Sequence, residues 1–405
     1  MLLTDQNNTF ERFCSFDAMY DASYRVCRNV RWKDSTIKFE ENRIETILNS
    51  EADLRAHEYE QLVFSCFSII ERGKPRDIRA CHIDDRLVQN ALCEESLLPE
   101  LTPKFVYDNC ATLKDKGIDF ALKRFKKHLQ SAYRTFGQDK DFFCLRIDMR
   151  KYFDSIDHAA LKQIAKKVIK DKEICDLCCY LIDTFSFKLT KDKQPKPGKQ
   201  YYVISKHKYV LLNTPSFRPG RKYYEYEEKS LGLGSQTSQL FALLTLNEVD
   251  HFIKEVLHIK YYGRYMDDLY LFHGDSQYLT QCQKRIEEKL REIGLELNQK
   301  KTTITRVQVI KENGIRHAPV KYLKWNFYIT YTSHIIQIPF KKKLTHQRRK
   351  LRKMHALWVK GLLPTEEVQT SYQGWRAHIS KGTCFYIIQN MDNYFRSLFK
   401  GVEIK

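Results

Sequence analysis

The sequence predicts an α+β fold, and three observations lead there. Apolar residues recur at helical spacing through roughly the first 135 residues and again from residue 340 onward. Compact runs of β-formers interrupt the middle of the chain, as in DFFCLRID (141–148) and VKYLKWNFYITYTSHIIQI (320–338). Helical and strand-like segments mix without the strict alternation of a parallel α/β sheet.

In chain order, EQLVFSCFSIIERG (60–73) and DRLVQNALCEESLL (85–98) carry apolar residues at helical spacing, and KPRDIRACHI (74–83) between them reads as a strand or loop. KDKGIDFALKRFKKHLQSAYRTF (114–136) opens as a turn and becomes a basic amphipathic helix. DFFCLRID is compact enough for a buried strand, and HAALKQIAKKVIKDKEICDLCCYLIDTF (158–185) is helical again. Residues 186–226, rich in Lys, Pro, Gly and Tyr, read as a basic insertion, within which YYVISKHKYVLL (201–212) fits a hairpin with a polar turn. SQTSQLFALLTLNEVDHFIKEVL (235–257) predicts one helix. KYYGRYMDDLYLFHG (260–274) predicts two short β runs around an acidic turn, and LTQCQKRIEEKLREIGLELN (279–298) a helix ending near Gly294. The tail opens on FKKKLTHQRRKLRK (340–353) and runs helical to the end.

Of the 405 residues, 69 are Lys or Arg and 50 are Asp or Glu, a surplus of +19. Hydrophobic residues make up 42% and aromatics 13%, with 10 Pro and 15 Gly, which excludes a disordered, collagenous or low-complexity chain. The surplus predicts a polyanionic partner, nucleic acid first and an anionic membrane surface second. The start, MLLTDQNNTFERF, is polar where a signal peptide needs an apolar core. The longest apolar stretch, LVFSCFSII (62–70), falls far short of the ~20 residues of a membrane span. With 12 cysteines, most of them alone in apolar runs, the chain reads as soluble, reduced and cytoplasmic, with no membrane partner. Cys175, Cys178 and Cys179 resemble half a zinc site, but nothing completes the four ligands, so a buried helix is the better account.

The sharpest local feature is Tyr265-Met266-Asp267-Asp268, with β-formers on both sides. Adjacent carboxylates at an apolar hairpin tip repel and raise one another's pKa. A divalent cation removes that conflict, while plain turn chemistry is the other account of an Asp-Asp pair at a hairpin. Asp148, at the end of CLRID, adds a third carboxylate and completes the set that a two-metal phosphoryl-transfer site needs. Asp154 and Asp157 lie close in sequence, but Asp157 reads as a helix cap, and neither is assigned as a ligand.

IDMRKYFDSIDH (147–158), LGLGSQTSQ (231–239), YMDD (265–268), GLELNQKKT (294–302) and YLKWNFY (322–328) occur in one order. Together they resemble the palm motifs A to E of a bacterial reverse transcriptase, a resemblance that covers roughly residues 70–355. It implies a right-hand polymerase with fingers (1–140), a palm with an antiparallel sheet (141–330, including the 186–226 insertion) and a helical thumb (331–405). It further implies RNA-directed DNA synthesis on an RNA template from a DNA or RNA primer, with dNTPs and two Mg²⁺ ions, or Mn²⁺ in their place.

Carried over by resemblance, Asp148, Asp267 and Asp268 hold the metals, and Phe153 is the steric gate against a ribose 2′-hydroxyl. Lys301, with Lys300 as its rival, approaches the leaving pyrophosphate. Arg76 and Arg79, the block Asp85 to Gln89, Lys114 and Lys116 belong to fingers elements that clamp the triphosphate, although Leu113 stands where many relatives carry an arginine. Leu323, Lys324 and Trp325 fall near the primer end, and the stretch 341–353, with eight Lys or Arg in thirteen residues, suits a thumb tracking a backbone. Trp358, Tyr372 and Trp375 read as thumb core. Gly234 and Gln239 line the nascent pair, but Leu233 and Gln239 replace the Gln and Pro of the common Gln-Gly-x-x-x-Ser-Pro pattern. That departure resembles the error-prone enzymes of diversity-generating retroelements. Antiphage-defence reverse transcriptases, with templated, protein-primed or non-templated synthesis, also diverge there, and an inactive nucleic-acid-binding protein is the reading of another class. About 50 residues after position 355 leave no space for a nuclease domain, so an accessory protein or a structured non-coding RNA is the expected partner.

Overall fold

The computed structural model describes residues 9–71, 73–138, 140–213, 215–311 and 318–404; most of the polar start read above, residues 1–8, lies outside them. Four helices lead: α1 (Thr9–Cys14), α2 (Phe16–Cys27), α3 (Asp34–Glu41) and α4 (Arg43–Arg55). They bury Phe10, Phe13, Met19, Phe39, Ile47 and Leu54 in a core shared with later elements. A hairpin follows, β1 (Ser65–Glu71) and β2 (Lys74–Ala80), paired from Ser65 opposite Ala80 to Ile70 opposite Pro75. This corrects the helical expectation for 60–73. A short apolar run does not fix its own period, and the extended segment at 74–80 offers a full ladder to Phe67, Ile69 and Ile70. Next come α5 (Ile83–Leu92), a π turn (Cys93–Leu97), α6 (Leu98–Leu101) and α7 (Ile118–Ala132).

The central region runs β3 (Phe142–Asp148), α8 (Tyr152–Ser155), α9 (His158–Val168) and α10 (Lys172–Thr184). Asp157 caps α9 by accepting from the Ala160 amide at 3.0 Å, as the sequence suggested, and Asp171 caps α10. Cys175 and Cys178 are buried in α10 and Cys179 is half-buried. The insertion folds into its own antiparallel sheet of β4 (Phe187–Leu189), β5 (Tyr202–Ser205), β6 (Lys208–Leu211) and β7 (Tyr224–Tyr226), in the order β4-β7-β5-β6. The predicted hairpin is β5–β6, with Lys206 and His207 both at positive φ as a two-residue turn requires.

The stretch 235–257 is not one helix: α11 (Gln236–Thr245) breaks at Leu246 (φ −100°, ψ 2°) before α12 (Asn247–His251) and a π turn. Then come β8 (Tyr261–Tyr265), β9 (Asp268–His273), α13 (Ser276–Glu292) and β10 (Thr303–Val307). The main sheet is antiparallel in the order β10-β3-β9-β8, with α13 against β3 and β9 and α7 against β8. A third sheet comprises β11 (Val309–Ile310), β12 (Val320–Tyr322), β13 (Trp325–Thr330) and β14 (Ile335–Pro339). Three helices end the chain: α14 (Lys341–Val359), α15 (Thr365–Ile379) and α16 (Phe385–Leu398). Leu351, Val368, Tyr372, Met391 and Phe395 form their core, with Trp358 and Trp375 packed against it, as the sequence suggested. Among the described residues no helix is long and apolar enough to cross a membrane.

Candidate active site

Strand pairing brings the three sequence-predicted aspartates together. Asp148 is the last residue of β3 and Asp268 the first of β9, and the two lie directly opposite one another. Met266 and Asp267 form the two-residue turn between β8 and β9, closed by the pair Tyr265 and Asp268. Met266 adopts φ 54°, a left-handed conformation that such a turn demands and that costs a non-glycine residue about 1–3 kcal/mol.

A buried ion pair holds that turn. Arg264 and Asp250 are both fully buried. Arg264 Nε donates to the two Asp250 oxygens at 2.7 and 3.0 Å and Nη2 to Oδ2 at 2.5 Å, while the Tyr262 hydroxyl donates to the same carboxylate. The guanidinium has donors left over: Nη1 reaches the Met266 carbonyl at 3.3 Å and Nη2 the Leu243 carbonyl at 3.2 Å. Burial works against the Arg264 charge, but Asp250 outweighs it and its pKa is raised. Sequence reasoning missed this pair; its signal was an arginine inside an otherwise apolar strand.

The electrostatics are those of crowded acids. Burial, with repulsion from Asp267 and Asp148, pushes the Asp268 carboxyl up to about 6 against the pull of Arg146. Burial and Asp148 likewise raise Asp267, against Lys301 and Arg76. Arg146 Nη2 stands 3.3 Å from Asp268 Oδ1. Lys301 Nζ donates to both Asp148 oxygens, at 2.9 and 2.8 Å, and Asn298 Nδ2 to Oδ2 at 3.0 Å. The Asn298 amide also donates to the Asp148 carbonyl at 2.8 Å, which fastens the segment before β10 to the end of β3. Among the described residues no three His, Cys, Asp or Glu side chains converge on one point. The donor set nevertheless fits a hard divalent cation: three carboxylates, two of them with pKa values raised by burial and mutual repulsion.

Phe153 lies in α8, half-buried, its ring edge-on to Tyr152 at 5.6 Å. Its carbonyl accepts from the Leu231 amide at 2.7 Å, which ties it to the 231–239 segment. Gly234 (φ 127°) abuts β2: a Cβ there would come within 3.2 Å of the Arg79 carbonyl. The Leu233 carbonyl accepts from the Arg79 amide at 3.1 Å, and the buried Arg79 side chain donates to Ser230 Oγ at 2.9 Å and to the Phe185 carbonyl. Gln239 is exposed on α11, Arg76 lies on β2, and Lys114 is exposed in the turn before α7. Lys116 is differently employed. It donates to the Tyr107 and Asn109 carbonyls at 2.8 and 2.9 Å, and burial lowers its pKa. Leu323 and Lys324, both at positive φ, form the turn between β12 and β13, and Trp325 is fully buried beneath it. A cleft of about 560 Å³ opens between β2, residues 150–155, the insertion sheet and residues 229–233, with Arg79, Lys151, Lys188 and Leu233 on its walls.

In overall shape the chain is similar to apo telomerase from Candida tropicalis truncated from its C-terminal domain (13% identity, TM-score 0.45, 72% of this chain and 60% of that one). It is also similar to telomerase from Candida albicans in complex with a fragment of telomeric RNA (14% identity, TM-score 0.40, 84% of this chain and 59% of that one). The chain thus spans about three fifths of the length of either telomerase. No curated protein sequence matches it. The family model described as reverse transcriptase (RNA-dependent DNA polymerase) matches residues 70–327, a span that holds the three aspartates, Phe153 and Lys301. On that match, with the mixed α+β architecture of a right-hand polymerase, the chain belongs to the reverse transcriptase family.

Proposed function

We propose that this protein synthesises DNA on an RNA template by nucleotidyl transfer to a primer 3′-hydroxyl, with Asp148, Asp267 and Asp268 holding two Mg²⁺ ions or Mn²⁺ in their place. The observation that carries this reading is Asp148 directly opposite Asp268 with Asp267 at the adjoining turn. Bound divalent cations would supply activation of the attacking hydroxyl and neutralisation of the triphosphate. In the transfer, the 3′-hydroxyl loses its proton to solvent and its oxygen bonds to the α-phosphorus as the bond from that phosphorus to the α–β bridging oxygen breaks, releasing pyrophosphate. Lys301 donates a proton or positive charge to the departing pyrophosphate. Phe153, fixed beside Leu231, presents an apolar ring where a ribose 2′-hydroxyl would need a partner, and so favours dNTPs. Arg76 and Lys114 reach toward the triphosphate, and Lys116 shapes the loop behind them. Gly234 lets the backbone approach β2 and Gln239 is exposed on α11; by the resemblance both belong beside the nascent pair.

Fingers over 1–140, palm over 141–330 and thumb over 331–405 are the subdomains of this reading. We place the enzyme in a diversity-generating retroelement, working with an accessory protein or a structured RNA, because Leu233 puts an apolar side chain on the cleft where an amide is common. Primer extension on poly(rA)/oligo(dT) with Mg²⁺ tests the activity. Incorporation of dTTP by wild type and its loss in Asp267→Ala with Asp268→Ala are expected; no incorporation, or undiminished incorporation by the double variant, overturns the reading. Preference for NTPs would point to RNA synthesis instead. A template/variable repeat pair beside the gene supports diversification, and a cluster of defence genes supports antiphage function.

A further inference from the structure

The three carboxylates differ in what faces them. Asp148 is met on both oxygens by Lys301 Nζ, at 2.9 and 2.8 Å, and Asp268 is met by Arg146 at 3.3 Å. The two cations are unlike. Arg146 is rooted in β3 with its side chain 24% exposed, and its buried Nε has no partner among the described residues. Lys301 stands at the end of a flexible unbranched stem, 58% exposed, in the turn before β10. An ammonium bonded to both oxygens, beside Asn298 on Oδ2, fills most of the ~four lone-pair sites of the carboxylate and puts a positive charge where a hard cation would sit. Asn298 keeps its own hold on Asp148 Oδ2 and on the Asp148 carbonyl, so the carboxylate stays oriented if Lys301 departs.

We propose that Lys301 is an exchangeable counter-ion of Asp148. It occupies the carboxylate in the metal-free protein and leaves when a divalent cation binds there. Its ammonium then becomes free for the leaving pyrophosphate only in the loaded enzyme. The proposal rests on Asp148 being a metal ligand, and it adds an order of events: Lys301 is released by loading and does not stand ready beforehand. An internal competitor lowers metal affinity, so its removal raises that affinity. A lysine that merely fixes Asp148 would do the reverse, because its loss would disorder the ligand.

The test is Mn²⁺ binding to the full chain without nucleic acid, read from the free-ion electron paramagnetic resonance signal. Lys301→Gln is expected to bind Mn²⁺ about threefold to tenfold more tightly than wild type. Lys300→Gln, which removes an equal charge one residue away, is expected to change it by less than about twofold. After reductive ¹³C-methylation, which keeps the charge, the resonance missing from Lys301→Gln should shift in wild type when Mg²⁺ is added. Weaker or unchanged binding by Lys301→Gln, an equal gain in Lys300→Gln, or an unmoved resonance overturns the exchange alone. Absence of Mn²⁺ binding by wild type also overturns the exchange, whereas the metal-dependent function is overturned separately, by the primer-extension assay.

Discussion

Asp267 sits at the turn tip, its charge raised in cost by burial and by Asp148, and that cost is what a bound cation relieves. Asp267→Asn keeps the shape and removes the charge. Activity in primer extension should fall by at least about a hundredfold while the thermal midpoint holds or rises, because a costly charge is gone. A fall in both would mark Asp267 as a structural residue. Asp85, on α5, is another buried acid. It accepts from the Tyr59 hydroxyl at 2.9 Å and weakly from the Leu62 amide at 3.4 Å, and its buried Oδ2 has no partner among the described residues. Burial pushes its carboxyl up to about 6 from an ordinary 3.8. Folding therefore favours the protonated form, and this acid's contribution to stability falls as pH rises from about 4 to about 6. Asp85→Asn should then be more stable than wild type at pH 8, by on the order of 2 kcal/mol, with the gain vanishing below about pH 4. Urea denaturation at the two pH values checks this; a gain independent of pH would rule out the ionisation of Asp85 as its cause.

The β8–β9 hairpin shows what a sequence does and does not disclose. Its strands, its acidic turn and the Asp148 strand were all legible, because compact runs of β-formers and turn chemistry are local. The insertion's hairpin was legible for the same reason, through a polar turn at Lys206 and His207. Residues 65–71 were not, because their extended state depends on a partner strand and not on their own spacing. The bend at Leu246 escaped too, since nothing at that position breaks a helix locally. Arg264 and Asp250, fourteen residues apart, touch only after β8 has folded back onto α12. Removing one partner of such a buried pair should cost about 3–5 kcal/mol, so Arg264→Met is expected to be strongly destabilised in urea. Adding Asp250→Leu should recover much of that loss, since two apolar groups need no partner. Polymerase activity should not recover with stability, because the Met266 carbonyl still lacks its donor. Joint recovery of stability and activity would show that the pair serves the fold and not the turn.

Across the molecule the +19 surplus is unevenly spread. Residues 34–53, covering α3 and most of α4, hold six acids against two bases and so carry net −4. The insertion, 186–226, holds ten Lys or Arg against two acids. Much of that insertion charge is already engaged inside the protein: Lys191 with Asp77, Lys199 with Asp192 and Glu225, Lys208 with Glu60, and Lys222 with the Cys66 carbonyl. The Lys199 pairs close the insertion on itself, and the Lys191, Lys208 and Lys222 links fasten it to β2, to the segment before β1 and to β1. α14 differs. Lys342, His346, Arg349 and Lys353 recur at i, i+4, i+7 and i+11 and are all exposed, so they form one basic stripe along the helix. A backbone phosphate row is the partner such a stripe fits, and each contact releases counterions on binding. Lys342→Gln with Arg349→Gln and Lys353→Gln should therefore lower the slope of log affinity against log salt for an RNA–DNA duplex by about 2–3, with little change in affinity ratios between sequences. Fluorescence anisotropy across a KCl series measures that slope. Changing Glu41 and Glu45 on the acidic face to Gln should leave it unaltered, since that face repels the same phosphates. An unchanged slope in the triple variant would take α14 off the nucleic-acid path and leave the surplus charge to the insertion and α7.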